Sequence, residues 1–302
     1  MVWALYAGAC LGSCSSGASE TGGQGESSGP PVDAAQGAGE SHATPVDAAA
    51  PGDRSPEAVA ITELVRTLTP PDLTWTSDRL DAHFHAGREA LARLKQAEPA
   101  LGRAALGRLL ADNPEEIPVR NGLLEVGAHS APDDAEPLLV QLVTEYGHRM
   151  SDRTEAVRLL AQTSPARAEE LLGPLLRQER LRQTMPDAEF LLAGWVTACE
   201  QTGTDPVEVL STVAGNIFMQ DAARHQAVEE LGKHPGTLSR ATLEAVLVES
   251  TGNGYLRRKA AQALSASLPA ETACSIFKRV AEQEADQNMV IFLLNMLEEA
   301  CG

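Results

Sequence analysis

The side chains that could ligate a metal, attack a carbonyl or carry a proton are seven histidines, five cysteines and 42 acids, and their spacing gathers them nowhere. His83 and His85 flank Phe84. On a helix, positions i and i+2 point about 200° apart, so the two do not share an ion. Cys199, Cys274 and Cys301 fall in three predicted helices and match no CxxC zinc or redox spacing. In an exported protein two of them could be oxidised to a disulfide, but buried helix cysteines usually behave as small hydrophobes, and that is the reading taken. Arg257, Arg258 and Lys259 form the one compact basic cluster. Arg257 is read as a structural arginine bonding within its own hairpin, the other two as solvated. The acids recur at helical surface spacing and form no isolated buried pair suited to acid–base work. A P-loop, GxSxG, HExxH and a Gly-rich dinucleotide turn are all missing from the sequence. No catalytic, cofactor-binding or metal-ligating residue is assigned, and no cofactor is expected.

The chain has two parts of different character. Residues 15–56 hold no Leu, Ile, Met or aromatic residue, and Val32 and Val46 are their only apolar residues larger than Ala. Such a stretch cannot bury enough apolar surface to offset its ordering entropy, so it is read as a disordered tether. PVDAA occurs twice in it, at 31–35 and 45–49. Residues 57–302 are rich in Leu, Ala, Val, Glu and Arg and are read as one helical domain. The formal net charge is −18; six acids and Arg54 give 15–56 a charge of −5, leaving −13 for the helical part. A domain this acidic repels phosphate backbones, so no nucleic-acid partner is expected.

Ahead of the tether, residues 2–11, VWALYAGACL, make an apolar run about half the length a bilayer span needs. LGSC follows, Leu11 to Cys14. It resembles a bacterial lipobox, with Leu at −3, small residues at −2 and −1, and the cysteine that receives lipid. No Lys or Arg precedes the apolar run, a departure from the basic start of most signal peptides. Three readings stand: lipid on Cys14, secretion without lipid, or a terminus with two incidental cysteines. Lipidation at Cys14 is the expectation carried forward. It places the protein outside the cytoplasm in a bacterial envelope, periplasmic or outer-membrane, touching the membrane only through the anchor.

The helical part repeats. The pattern D-x-x-R-x-x-A-x-x-x-L is clearest at Asp221, Arg224, Ala227 and Leu231. Relatives of it lie at Arg153–Ala156–Leu160 and Arg257–Ala260–Leu264, with weaker forms at Arg120, Glu189 and Val290. The anchors 120, 153, 189, 224, 257 and 290 are separated by 33, 36, 35, 33 and 33 residues. Amphipathic first helices are predicted between them, at 135–147, 166–181, 205–215, 239–250 and 269–284, punctuated by Pro and Gly. Residues 78–95 and 98–112 read as a further helix pair, which with 57–68 caps the N-terminal end. The region 110–301 resembles the HEAT-like repeats; the recurring Trp, Gly and Tyr of tetratricopeptide repeats do not appear. The resemblance implies an all-α solenoid of helical hairpins, with Ala156, Ala227 and Ala260 at close helix contacts.

A solenoid is a surface for binding, and fold alone does not give function. The expectation is a non-enzymatic scaffold or adaptor holding a protein partner on the surface lined by second helices. Alternatives are an enzyme or accessory of the kind some HEAT-like proteins are, such as bilin lyases or DNA glycosylases, and a purely structural envelope spacer. The charge of −13 argues against the glycosylase. In the last helix, MVIFLLNML spreads apolar residues over about 200° at 100° per residue, more than one buried side requires. Val290, Leu294 and Leu297 are therefore marked as an association surface, for a homodimer or a partner, unless two neighbouring helices cover the whole arc.

Overall fold

The computed structural model describes residues 55–69, 75–145, 148–178, 188–249 and 253–301. Cys14 and the tether up to residue 54 lie outside the described residues. The described residues form one compact unit. Among the described residues there are fourteen α-helices and no strand. The first four are α1 (Pro56–Leu68), α2 (Ser77–Leu94), α3 (Pro99–Asp112) and α4 (Ile117–Ser130). Then come α5 (Pro132–Thr144), α6 (Met150–Thr163), α7 (Pro165–Leu176), α8 (Ala188–Thr202) and α9 (Val207–Gly215). The last are α10 (Asp221–Lys233), α11 (Thr237–Glu249), α12 (Gly254–Ser267), α13 (Ala270–Gln283) and α14 (Gln287–Cys301). None is long and apolar enough to cross a membrane.

Local sequence sets the boundaries. Pro occupies the first or second position of α1, α3, α4, α5 and α7, where its missing N–H costs nothing. Ser55 Oγ accepts from Ala58 N–H at 3.2 Å, so the fold starts two residues before the predicted boundary at 57. Asp205 accepts from Val207 N–H at 3.0 Å ahead of α9, and Asn253 from Leu256 N–H at 3.0 Å ahead of α12. Each helix buries one stripe. In α13, Ala273, Ile276, Phe277 and Val280, at i, i+3, i+4 and i+7, are all buried.

From α3 onward the helices pair as hairpins, α3 with α4 through α13 with α14, and each second helix touches the next. The result is an all-α, solenoid-like stack with a core continuous from Ile61 to Leu293. The N-terminal end differs from the expectation. α3 packs on α4, while α2 packs on α1 and α4, so the cap is α1 with α2 and the residues read as its second pair are split. Sequence distance had suggested the pairing of 78–95 with 98–112. Apolar contact decided otherwise, with Leu68 of α1 and Leu91 of α2 filling the notch left by Gly122 of α4.

The repeat arginines have one structural task. Arg153, Arg224 and Arg257 are buried. Each donates from Nε to the carbonyl ten residues earlier: Val143 at 3.2 Å, Ala214 at 3.1 Å and Leu247 at 2.7 Å. These carbonyls end the first helix of each hairpin and have no partner within the helix, so the arginine of the second helix caps the first. Arg120 departs from this and donates instead to Asn113, to the Pro114 carbonyl at 3.1 Å and to Asp152 of the next second helix at 3.0 Å. The weak anchor at Glu189 needs correction. In α8 Ala188, Leu191 and Trp195 are buried at the places of the earlier Arg, Ala and Leu, while Glu189 is half-buried, so Ala188 holds the anchor place. The neighbouring steps become 188 − 153 = 35 and 224 − 188 = 36. An ionised side chain does not take a buried position without a partner, and the chain shifts by one residue to avoid it.

Cysteines divide. Cys199 is free and buried, and burial, followed by the charge of Glu169, pushes its thiol up to about 12, far from a working nucleophile. Cys274 is disulfide-bonded, which corrects its reading as a small hydrophobe. Spacing along the chain carries no information on contacts between helices, so the sequence did not single out Cys274 for it.

Candidate interaction surface

The residues with chemical potential stay apart. His83 stacks edge-on to Trp75, centroids 5.6 Å apart, while His85 Nε2 lies 3.2 Å from Glu89. Among the described residues no group of three His, Cys, Asp or Glu could hold a metal ion. In the basic cluster, Arg257 bonds the Glu284 carboxylate and the Leu247 carbonyl. Arg258 is exposed, and Lys259 pairs with Glu229 and lies 5.6 Å over the Tyr255 ring. His225 packs edge-on to Tyr255 at 4.6 Å, with burial holding its imidazole below the ordinary range and therefore neutral at pH 7.

Described residues form at least two cavities. One, of about 670 Å³, lies between α1 and α2 and is lined by Glu63, Arg66, Trp75, His83 and Glu89 among others. Arg66 and Glu63 form a solvent-exposed ion pair there at 2.5 Å, not a buried pair poised for proton transfer. The other, of about 340 Å³, is a cleft between α9 and α11. Its origin is local. α9 has nine residues where α11 has thirteen, so Ala241 and Ala245 of α11 are left exposed in the wall. Ile217 and Val246 add apolar lining, Arg224 contributes to the floor, and exposed Glu249 stands at the rim. Ser211 Oγ is buried in the wall without a hydrogen-bond partner.

The cleft opens on an edge of the stack with a character of its own. In four hairpins, large apolar side chains face solvent where the first helix turns into its second; the turn from α13 to α14, Glu284 to Asp286, carries none. Leu110 and Ile117 flank the turn from α3 to α4, Met150 begins α6, and Val248 and Tyr255 flank the turn from α11 to α12. Between α9 and α10 stand Ile217, 68 % exposed, and Phe218, 60 % exposed. The turn from α7 to α8, residues 179–187, lies outside the described residues. On the opposite edge, where second helices lead into the next hairpin, Leu238 is the one large apolar side chain exposed among the described residues. Exposed Glu115, Glu116, Asp221 and Glu249 accompany the apolar residues of the first edge. An apolar strip rimmed by charge is the mark of a recognition surface.

The marked association residues of α14 are placed as follows. Leu294 is 53 % exposed, whereas Val290 is half-buried and Leu297 is half-buried against the core. Ile291, 58 % exposed, shares the outward face with Leu294 and was not marked. Ile217 and Phe218 were missed as well. Their signal was an apolar pair inside a predicted turn, between Asn216 and the Arg224 anchor, where periodicity gives it no reason to be. No protein-family model, curated protein or solved structure matches the chain.

Proposed function

We propose that this protein is a non-enzymatic scaffold, a HEAT-like helical-repeat protein held in a bacterial envelope by lipid on Cys14, that takes a protein partner along the edge of its hairpin turns. The observation that carries the reading is the asymmetry of the two edges. Apolar side chains are exposed at the α3–α4, α5–α6, α9–α10 and α11–α12 turns, and nearly absent from the described turns between hairpins. The partner fitting this edge presents apolar residues beside cationic ones. Its apolar groups cover the strip, a basic side chain reaches Glu249 over the cleft, and the −13 of the helical part attracts it from a distance. Arg149 is a basic exception on this edge; it is exposed and donates to the Glu115 carbonyl at 3.1 Å.

The envelope location draws support from the disulfide at Cys274, since such bonds persist in oxidising compartments. Intact-mass analysis of the native protein is expected to find a chain beginning at lipidated Cys14. A chain retaining Met1 with no lipid overturns that part of the reading.

Capture from solubilised native envelope tests the edge. The double variant Ile217→Glu with Phe218→Glu is expected to recover the partner at least tenfold less than wild type. Leu238→Glu, on the opposite edge, is expected to capture it normally. All three positions are exposed, so stability is expected to change by no more than about 0.5 kcal/mol. Equal capture by all three proteins overturns the assignment of this edge.

A further inference from the structure

The cleft between α9 and α11 holds two hydroxyls that the fold does not use. Elsewhere in the helices such groups settle on their own backbone. Thr144, Thr163, Thr197, Thr212 and Ser267 each donate to the carbonyl four residues back, at 2.7–3.0 Å. Ser211, next to Thr212 on α9, does not; its Oγ is buried and has no partner among the described residues. Thr242 of α11 lines the same cleft and also makes no hydrogen bond among the described residues. The rest of the wall is largely apolar. Ala241 and Ala245, one turn apart on α11, leave a strip without bulk, with exposed Ile217 beside it. The cavity, about 340 Å³, is within the range of ligand pockets, about 300–1,000 Å³. Both walls belong to hairpins inside the stack, and they pack on each other.

We infer that this cleft receives a tyrosine side chain of the partner, with its ring on Ala241 and Ala245 and its hydroxyl bonded to those of Ser211 and Thr242. The inference rests on the reading of the hairpin-turn edge as a binding surface. Charge narrows the occupant. The buried guanidinium of Arg224 in the floor repels an entering Lys or Arg. Glu249 at the rim and the −13 of the helical part repel an Asp or Glu. The occupant is therefore neutral. Hydrogen-bonding capacity narrows it further. A buried amide calls for up to about four hydrogen bonds, more than two hydroxyls serve, whereas a phenol with one O–H and its lone pairs is satisfied by them. A phenylalanine or aliphatic side chain displaces water from Ser211 Oγ and returns nothing, which leaves a buried hydroxyl unpaired. The Arg224 cation also favours an aromatic ring over an aliphatic chain of the same size. A partner tyrosine next to a basic residue thus satisfies the cleft and Glu249 together.

Binding of p-cresol, the tyrosine side chain as a free molecule, tests the inference on the full 302-residue chain carrying Cys14→Ser, which cannot take lipid. Methyl NMR of protein labelled at alanine Cβ reads the site. p-Cresol is expected to shift the Ala241 and Ala245 signals saturably, with Kd on the order of 1 mM for a ligand this small. Toluene is more hydrophobic but lacks the hydroxyl, and is expected to bind at least about fivefold more weakly. Ser211→Ala and Thr242→Val remove no bond among the described residues, and each is expected to reduce that preference at least about threefold. Ala245→Leu, at an exposed position, fills the cleft and is expected to abolish binding of both molecules, read at Ala241. The absence of saturable shifts up to about 20 mM p-cresol overturns the inference. Toluene bound as tightly as p-cresol, or a preference retained in both hydroxyl variants, overturns it too. The measurement needs no partner, so it is read apart from capture: capture that depends on Ile217 and Phe218, with no p-cresol bound, keeps the edge and rejects the tyrosine, whereas equal capture by all three proteins rejects the edge itself.

Discussion

Replacing Arg257 by Met is expected to destabilise the C-terminal hairpins by about 3–5 kcal/mol, the cost of removing one partner from a buried ion pair. The side chain serves two acceptors. Its Nε caps the Leu247 carbonyl at 2.7 Å, and its guanidinium bonds the Glu284 carboxylate in the turn between α13 and α14. Met fills similar volume and satisfies neither, leaving a carbonyl and a carboxylate with little access to water. The hydrogen bond from Arg257, followed by that from the Asp286 amide at 2.8 Å, holds the Glu284 carboxyl below the usual carboxylate range. A lowered folded pKa gives stability that is present above the unfolded value near 4.5 and lost as pH falls through the folded value. The gap between wild type and Arg257→Met is therefore expected to be widest near pH 7 and to narrow below pH 4.5. Hydrogen exchange reads the effect directly. Repeats couple chiefly to their neighbours, so protection is expected to fall in α11 to α14 first and least in α1 to α4.

Ala227→Leu is expected to cost about 3 kcal/mol, the upper end of the range for overpacking a closed core. Ala227 is fully buried in α10, which packs on α9 of its own hairpin and on α12 of the next. A side chain three carbons longer has nowhere to go unless the second helices separate. Gln262→Leu, one repeat on at an exposed site, adds the same residue without a neighbour to displace and is expected to change stability by less than about 0.5 kcal/mol. Urea unfolding of the two variants checks the difference. Similar midpoints would mean that position 227 is not a helix-to-helix contact.

Much of the architecture was legible because it rests on few residue types at a fixed period. Arg153, Arg224 and Arg257 recur since each hairpin must cap the same carbonyl, and the alanines three places on recur since second helices meet there. The reading slipped where that chemistry lapses. At α8 no arginine is present, and an acidic residue next to the true anchor was taken for it. At the N-terminal end, chain order was used in place of contact, and α3 was given to the wrong partner. The proposed interaction surface was harder to see. A search for helical periodicity looks past Ile217 and Phe218, which belong to no stripe. Ile291 was not marked, because burial by neighbouring hairpins is set by packing and not by local sequence. The cleft beside α9 arises from a helix length, and the difference of four residues between α9 and α11 lies within the usual uncertainty of helix ends.

The claim at the centre of this account is that partners dock on the hairpin-turn edge, and crosslinking at single sites in living cells tests it most directly. A photoactivatable phenylalanine analogue placed at Phe218 samples that edge, and the same residue at Leu238 samples the opposite one; both are exposed and outside the core. Irradiation is expected to give a discrete higher-mass adduct from position 218 containing a second, different protein, and none from position 238. An adduct from position 238 with none from position 218 contradicts the account, as does the absence of any adduct at 218 when the protein is present at its native level.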